Sequence, residues 1–569
     1  MKRSTPILIA TLSLSILYTL PVSAIKASEP FIQQEQLNQA RQLEQWKKDR
    51  AVLPRIKVEK TAIEKETQDI SPSMAAFYVD EIHLEGLPEE LDFLNDKVHA
   101  YEKQKLSMND IEKLVRILNQ KLQDKGYVTT QVVIPEQNIS AGTLHLLCLP
   151  GRLHQVIYSQ GSKKLPWQNA FPIRDGDLLN LRMLEEGLEN MKRVSSQEVS
   201  MKILPTAKAG YSDLELTVQQ GKQVHGMLSS DDSGMKETGK YQWNAGIVFD
   251  DVFHANDTLQ LSAVLDGSRR GSEKGSRYQS FSYTIPKGKD RLTISHNRSR
   301  YHQTVAGIPY DFISSGKTQT TRFTYDHMIS RSQSERKALD ISMIKRDSHY
   351  FINDMEIPVQ AMEIPVQAMD TTALEVGLSD RIYIGRNTLY VRLGHKQGTG
   401  WMGAQKENTY PDSPKTRYQM WLFDIDWQQP FTMGHRQASF SSSLHGQWNT
   451  KGNRLYGVDA ISIGNRYTVR GFDGEYTLMG ESGWYLRNEL SSNIPILHSD
   501  IYLGLDVGSV YGVSTDVLVG RTIAGMALGL RGNFSSGLSY DALISHSLYK
   551  PEGYHTRKWV PGFTVSWKF

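Results

Sequence analysis

The sequence has little cysteine and few long apolar runs. Cys148 is the only cysteine in 569 residues, so no intrachain disulfide can stabilise the fold. Beyond the first twenty or so residues, no apolar run approaches the ~20 residues that a spanning helix needs, and mean hydropathy is negative. Helical membrane spans are therefore excluded, and the mature chain is expected either to be soluble or to cross a membrane as a β-barrel.

Blocks of one charge sign and catalytic signatures are also missing. The net charge of +3 is spread along the chain, which argues against nucleic acid as a partner. We find no Gly-x-Ser-x-Gly elbow, no His-Glu-x-x-His helix and no Walker loop. A Gly398-x-Gly400-x-x-Gly403 match has no predicted helix after it, and the 16 histidines show no ligand spacing. The sequence therefore predicts no enzyme activity, no cofactor and no metal site.

The N-terminus has the order of a secretory signal. Met1-Lys2-Arg3 is followed by an apolar run from Ile7 to Leu20 and by Pro21-Val22-Ser23-Ala24, which predicts a signal peptide over residues 1–24 and cleavage after Ala24. The alternative, a membrane anchor, is weaker because the apolar run is short of the ~20 residues of a spanning helix. The chain is expected to be exported.

A polar helix and a linker are predicted next. Residues 31–50 are rich in helix formers and contain neither Gly nor Pro, while their apolar stripe is thin. Such a helix cannot anchor a core, so it should lie in water, in a polar cavity or against a partner. Residues 51–75 carry Pro54, Pro72 and alternating charges, as is typical of a linker.

Two small α+β units are predicted to follow. In the first, strands flank a helix with Ser107 as its N-cap and Gly126 as its C-terminal cap. In the second, the helix begins after Asn180, and two alternating strands are expected over residues 197–204 and 213–219. The pattern predicts two units in tandem.

Residues 221–569 alternate between apolar and polar or small side chains. Examples are Leu503 to Gly508 and the C-terminal Phe563 to Phe569. One apolar and one polar face is the pattern of a membrane barrel, and the length gives about 16 antiparallel strands, since each spanning strand takes ~9 to 11 residues. A soluble β fold explains the alternation equally well, but not an aromatic last strand that ends on Phe569.

Two further features lie in this region. Arg470 stands in a long segment between Gly464 and Gly483, and Asp506 is on the inward side of its strand. If the segment folds inward, the two side chains meet in a confined space, where a bidentate contact is strong; otherwise they are two solvated charges.

The heptapeptide Met-Glu-Ile-Pro-Val-Gln-Ala occurs twice in succession, over residues 355–361 and 362–368. Its prolines cannot donate to a strand ladder, so we expect an exposed loop. We interpret the repeat itself as a neutral local duplication.

Several ordered motifs resemble the transporter subunits of two-partner secretion, the TpsB proteins, which are similar in the barrel to BamA-type assembly proteins. The resemblance spans nearly the whole mature chain, and Asp231 is one departure, since the family often has an apolar residue there. The matching segments are Gly126-Tyr127-Val128-Thr129-Thr130, Ile134-Pro135-Glu136-Gln137, Gly142-Thr143-Leu144, Gly176-Asp177-Leu178-Leu179-Asn180-Leu181-Arg182, Gly187-Leu188-Glu189-Asn190, Val218-Gln219-Gln220-Gly221-Lys222, Asp232-Ser233-Gly234, Val469-Arg470-Gly471-Phe472 and Gly504-Leu505-Asp506-Val507-Gly508.

The resemblance implies an all-β transmembrane barrel of about 16 antiparallel strands, preceded by two POTRA domains and a plug helix in the lumen. It implies that Val469, Arg470, Gly471 and Phe472 form an inward loop whose arginine pairs with Asp506, and that Trp567 and Phe569 belong to a C-terminal assembly signal. The implied domains are a signal peptide 1–24, plug helix 25–50, linker 51–75, POTRA domains 76–150 and 151–220, and a barrel 221–569.

The function implied is export of one large cognate exoprotein of haemolysin, adhesin or contact-dependent inhibition type across a Gram-negative outer membrane. Cargo would be recognised unfolded by the POTRA domains and pass through the pore without ATP. Implied partners are the TpsA-type exoprotein, outer-membrane lipid and the barrel assembly machinery, with the transporter a monomer. The alternatives are a BamA-like factor that assembles other barrels and, from another class, a solute porin or a barrel enzyme.

Overall fold

The computed structural model describes residues 32–45, 47, 76–267, 273–306, 310–356, 368–407 and 413–569. The predicted signal peptide and the predicted linker lie outside the described residues. Of the duplicated heptapeptides, only the first two residues and the last one are described, so the predicted loop also lies largely outside them.

A polar N-terminal helix, α1, covers residues 32–45. The first α+β unit follows it and consists of β1 (Ala76–Val79), β2 (Glu81–Glu85), α2 (Asn95–Val98), β3 (Gln104–Ser107), α3 (Met108–Lys125), β4 (Gln131–Val133) and β5 (Thr143–Leu149). β1 pairs with β3, while β5 lies between β2, which is parallel to it, and β4, which is antiparallel.

The long helix of this unit begins and ends as its sequence indicates. The Ser107 hydroxyl accepts a hydrogen bond from the Asp110 amide, and the Asp110 carboxylate accepts one from the Ser107 amide, which is a complete capping box. Gly126 ends the helix with φ 95°, a conformation that only glycine adopts readily. Its buried face, Ile111, Leu114, Leu118 and Leu122, is the apolar stripe visible in the sequence.

The second α+β unit consists of β6 (Arg152–Tyr158), α4 (Leu181–Lys192), β7 (Gln197–Pro205) and β8 (Tyr211–Gln220). β8 is central, parallel to β6 and antiparallel to β7. Asn180 caps α4 by accepting a hydrogen bond from the Arg182 amide at 2.8 Å, and the Leu181 amide donates to the Gly126 carbonyl at 2.8 Å. The start of α4 is therefore fixed against the end of α3.

Sixteen antiparallel strands close into a barrel, as predicted. They are β9 (Val224–Asp231), β10 (Gln242–Asp250), β11 (Thr258–Asp266), β12 (Lys274–Lys287), β13 (Asp290–Val305), β14 (Phe312–Arg331), β15 (Glu335–Ile352), β17 (Met369–Ile384), β18 (Asn387–Thr399), β19 (Gln419–Met433), β20 (Arg436–Asn449), β23 (Ser482–Ile494), β24 (Ser499–Tyr511), β25 (Thr522–Asn533), β26 (Leu538–Tyr549) and β27 (Val560–Lys568). Three short strands accompany this wall: β16 (Met355–Glu356), β21 (Ile461–Ile463) and β22 (Leu478–Gly480).

The two faces of the wall differ as the alternation predicts. In β24 Asp506 is 3% exposed, whereas the flanking Leu505 is 48% exposed and faces outward. In the last strand Phe563 and Trp567 also face outward. An apolar outside and a polar inside suit a barrel with lipid around it and water within. Among the described helices, none is both long and apolar enough to cross a membrane.

Candidate functional site

A long segment between β20 and β23, residues 450–481, folds into the barrel and is called the inward loop here. β21 and β22 pair within it. Its buried apolar residues pack against the wall in one cluster. The loop contributes Ile461, Ile463, Val469, Phe472 and Leu478, and the barrel contributes Tyr485, Val510, Ile523 and Tyr554. The segment is therefore a folded element that shares a small apolar core with the wall.

The predicted motif residues lie at the centre of this loop. Val469 is fully buried in the apolar cluster, and the Phe472 ring lies edge-on to Tyr554 with 5.3 Å between ring centroids. Gly471 has φ 105°, and a Cβ there would lie 2.5 Å from the His546 carbonyl oxygen. Glycine is therefore required at this position for both conformation and space.

The structure brings Arg470 and Asp506 together. The Arg470 Nε donates to Asp506 Oδ2 at 2.7 Å and Nη2 donates to Oδ1 at 2.8 Å, while the Arg470 backbone amide donates to Oδ2 at 2.9 Å. Both residues are less than 5% exposed. A bidentate pair with an added amide, shielded from water, is a strong contact. It fixes the loop to the wall at β24.

A second carboxylate completes this contact and was not predicted. Arg470 Nη1 donates to Glu489 Oε2 at 2.7 Å, and Glu489 also binds Arg531 Nη2 at 2.5 Å. Glu489 on β23 is the register partner of Gly504 on β24, and a Cβ at Gly504 would overlap the guanidinium. The signal for this contact is an acidic residue, Glu489, opposite a glycine, Gly504. The sequence alone does not show it, because it depends on the register between β23 and β24.

The helix α1 lies in the lumen and is fixed mainly by polar side chains. Gln36 Nε2 donates to the Gly457 carbonyl at 2.7 Å, and Gln39 Nε2 donates to the Val458 carbonyl at 3.1 Å. Further along, Glu44 accepts from Arg487 Nη1 at 3.0 Å. Of its described residues, the buried apolar ones are Ile32 and Leu37. The helix therefore fills the lumen without being part of a large apolar core.

A buried charge network centred on Asp459, next to the helix, also escaped prediction. Asp459 of the inward loop contacts Arg346 Nη1 at 3.0 Å, Lys396 Nζ at 3.2 Å and the Tyr418 hydroxyl at 3.0 Å. Arg346 lies in β15, Lys396 in β18, and Tyr418 directly before β19. The residues just before Asp459 are the ones whose carbonyls α1 binds, so helix and loop meet at one place.

The predicted C-terminal residues line the outside of the barrel. Trp567 is 46% exposed and Phe569 53% exposed, with 5.0 Å between their ring centroids. The Phe569 amide and carbonyl exchange hydrogen bonds of 3.0 Å with Gly226 in β9. These aromatic residues therefore lie where the last strand meets the first.

At the end of the barrel nearest the α+β units, α4 docks through buried charges that we call the collar: Glu186 and Glu189 of α4 with Arg331 at the end of β14 and Arg336 at the start of β15. Arg331 Nη1 lies 2.7 Å from Glu186 Oε2 and 2.6 Å from Glu189 Oε2. Arg336 Nη2 lies 2.7 Å from Glu186 Oε1. The collar therefore joins the second unit to the wall.

The electrostatics of the collar favour its ionised form. Burial opposes ionisation of Glu189, but the guanidinium groups of Arg193, Arg336 and Arg331 outweigh it and lower the pKa of the carboxyl below its usual range. The amide of Asn190 adds a neutral contact by donating to the Gly288 carbonyl at 2.8 Å. These carboxylates are therefore charged at neutral pH.

The glycine-rich match resembles no nucleotide site in its surroundings. Gly398 is in β18, the chain turns at Gly403, and the described residues that follow, 404–407, are not helical. Within the described ranges, no group of three or more His, Cys, Asp or Glu side chains is arranged to bind a metal ion.

Comparison with known proteins agrees with this geometry. Residues 210–532 match the family model of the haemolysin secretion/activation protein ShlB/FhaC/HecB, residues 77–151 match the ShlB-type POTRA domain, and residues 152–205 match a POTRA domain. The chain is 34% identical over 481 residues to outer membrane transporter CdiB-2 of Burkholderia pseudomallei, covering 84% of this chain and 81% of the relative. It is 26% identical to hemolysin transporter protein ShlB of Serratia marcescens, covering 71% and 70%.

Solved structures agree with the sequence comparison. CdiB from Acinetobacter baumannii superimposes with a TM-score of 0.82 at 27% identity, covering 95% of this chain and 99% of that one. CdiB from Escherichia coli gives the same TM-score at 25% identity, with the same coverage.

A closed sixteen-stranded barrel with two POTRA domains and a filled lumen defines an outer-membrane transporter of two-partner secretion. Its POTRA domains are in the periplasm, so the collar lies at the periplasmic end and the opposite end is extracellular. The chain belongs to the ShlB/FhaC/HecB family of haemolysin secretion/activation proteins. The resemblance, the fold and the location predicted from the sequence are confirmed.

Proposed function

We propose that this chain exports one large cognate exoprotein, unfolded, through its barrel to the cell surface. The names of its relatives support this, since they include a CdiB-2 transporter and a hemolysin transporter. The cargo would be a haemolysin, an adhesin or a contact-dependent inhibition toxin. The relatives that the chain matches are transporters.

The observation that carries the proposal is how the lumen is filled. A barrel of this size encloses a channel wide enough for an extended chain, and here α1 and the inward loop occupy it. α1 is bound by side-chain hydrogen bonds and ion pairs that water can replace. Its withdrawal would leave a polar surface facing water, so the pore can open at modest cost.

The POTRA domains, with boundaries at residues 76–150 and 151–220, would receive the cargo first. β7 is an edge strand in the sheet order β6, β8, β7, and an edge can bind an extended segment by strand addition. The wall residues would then guide the segment once α1 has moved. Arg470 and Asp506 would keep the inward loop seated, as a structural contact or as a hinge.

Two further roles complete the proposal. Trp567 and Phe569 would serve as the signal that the barrel assembly machinery reads during biogenesis, since they lie at the outward face of the closing strand. The transporter would act as a monomer, because its strands close on themselves with β27 paired to β9.

The test is co-expression with a candidate exoprotein, chosen as a large secreted protein whose gene lies next to that of this chain. We expect the exoprotein at the cell surface, detected by antibody on intact cells and by its sensitivity to added protease. A chain that lacks residues 76–150 but keeps its barrel should leave the exoprotein in the periplasm. Retention of the exoprotein by the intact, folded transporter would refute the proposal.

A further inference from the structure

The barrel closes where β27 meets β9, and we call this pairing the seam. It contains five register pairs, from Thr564↔Asp231 to Lys568↔Met227. Across the described residues, the other wall pairings contain between eight, as in β9–β10, and seventeen, as in β14–β15. Strand pairing therefore joins the two ends of the wall only over the periplasmic part of β27.

Above Thr564 the two strands are joined by side chains instead. The Phe563 amide donates to Asp232 Oδ1 at 2.9 Å, which continues the ladder through a carboxylate where a carbonyl would ordinarily accept. The direct backbone contact beside it, from the Asp232 amide to the Phe563 carbonyl, is long at 3.4 Å. Backbone pairing has thus nearly ended at this level of the seam.

Arg466 of the inward loop bridges the gap. Its Nη1 donates to the Phe563 carbonyl at 3.1 Å, and its Nη2 forms an ion pair with Asp232. One guanidinium therefore binds both the last strand, β27, and Asp232, the residue that follows β9. A Cβ at Gly562 would overlap this guanidinium, so the glycine makes room for the bridge.

The inward loop also contacts the turns on either side of the seam. Glu475 accepts from the Lys236 amide at 3.1 Å, in the β9–β10 turn. Asp473 accepts from the Arg557 amide at 3.2 Å, in the β26–β27 turn. The loop therefore contacts the two sides of the seam through three residues, Arg466, Asp473 and Glu475. The Arg466 contact is the one nearest the paired strands.

The lumenal helix reaches the same place. Arg41 Nη2 donates to Ser233 Oγ at 2.9 Å, and its Nε donates to the Tyr467 hydroxyl at 3.4 Å. Ser233 is the neighbour of Asp232, and Tyr467 the neighbour of Arg466. Helix, loop and both terminal strands therefore converge on one extracellular corner of the wall.

We infer that Arg466 is a latch that closes the extracellular half of the seam, so that the first and last strands stay joined there only while the inward loop is seated. The charge-assisted bonds of one guanidinium replace the strand pairs that this part of the seam lacks. The latch is a property of the resting barrel and does not depend on export being its function. It assigns Arg466 and Asp232 a role separate from that of Arg470 and Asp506.

The test is amide hydrogen exchange of the purified full-length chain in detergent, without cargo. In Arg466→Ala we expect the seam amides of Phe563 and Val565 to exchange about tenfold faster or more, because two charge-assisted bonds are lost. Amides in β14–β15 serve as an internal reference and should not change. Barrel folding is checked by heat-dependent migration on a gel.

The matched control is Arg392→Ala, another buried lumenal arginine. Arg392 binds Asp340 and Glu375 in a different part of the wall, so its loss should leave seam exchange unchanged. Asp232→Asn is the milder variant, since it keeps an oxygen for the Phe563 amide but loses the ion pair, and we expect an intermediate increase.

Three results would overturn the latch. One is seam exchange within about twofold of the unmodified chain in folded Arg466→Ala and Asp232→Asn. Another is an equal increase at the seam in Arg392→Ala. The third needs no variant: in the unmodified chain the Phe563 amide should be protected about as well as Val565, and fast exchange at Phe563 would show that the seam is open there at rest.

Discussion

Two clusters of buried arginine and carboxylate attach separate parts of this protein to the barrel wall, one in the lumen and one at the periplasmic end. In the lumen, Arg470 binds Asp506 with its side chain and its backbone amide. In the collar, Arg331 and Arg336 bind Glu186 and Glu189 through side chains alone. The difference shows that at Asp506 the inward loop is attached to the wall by its backbone as well as by a side chain, whereas the collar attaches α4 by side chains alone.

The largest effect is expected from Arg470→Ala. The substitution leaves Asp506 buried without its partner, at a cost of about 3–5 kcal/mol in loop seating. We expect export of the exoprotein to be abolished while the barrel still folds, measured by surface antibody and by heat-dependent gel migration. Arg531→Ala, which removes a more exposed neighbour, is the control and should retain most export. Normal export by Arg470→Ala would show that the lumenal cluster has no role in transport.

Removal of residues 25–50 tests the other occupant of the lumen. Because α1 fills the pore through polar contacts, we expect higher ion conductance in planar bilayers after the deletion, with the barrel intact. Lys47→Ala, which loses a 3.7 Å contact with Asp426, should change conductance far less. Unchanged conductance in the deletion would contradict the assignment of α1 as the plug.

Glu186→Gln combined with Glu189→Gln tests the collar. The arginines would lose their charged partners, and truncating one side of a buried interfacial pair costs about 2–5 kcal/mol. We expect a broader distribution of distances between α4 and the β14–β15 turn, measured by spin labels, with barrel folding unchanged. Glu198→Gln on the exposed side of β7 is the control. A distance distribution as narrow as in the unmodified chain would show that packing alone docks the domain.

The collar should resist acid until its carboxylates are protonated. The pKa of Glu189 is lowered from its ordinary 4.5, so its contribution to docking is fully present above that value and is lost as the pH falls through the lowered pKa of the folded state. The same spin-label distances should therefore be unchanged from pH 7 to about pH 5 and broaden only at pH values well below the ordinary pKa. Broadening near pH 6 would mean that another group controls docking.

The smallest effect is expected in the first POTRA domain. Ser107→Ala removes the hydroxyl that caps α3, at a cost of about 1 kcal/mol. Amide exchange in the first turn of α3 should rise about fivefold, while the collar and the lumenal cluster remain unaffected. A change in the collar distances would show that the two POTRA domains are coupled through the contact between Leu181 and Gly126.

Local features were predictable from the sequence because their signals are local. The two residues of the N-terminal capping box of α3, Ser107 and Asp110, lie three positions apart, and the alternation in β24 places Asp506 inward whatever its neighbours are. The collar, the Asp459 network and the Arg466 bridge were not predicted. Arg331 and Glu186 are 145 positions apart, and only the order and register of the strands bring such charges together.

The meeting of α1 with the inward loop sets an order of events. The carbonyls of residues 457 and 458 accept hydrogen bonds from Gln36 and Gln39, so the helix rests on acceptors that exist only while the loop is in place. Emptying the pore would begin with the helix and end with the loop. Resealing would then run in reverse, with the loop returning first to rebuild the seat of the helix.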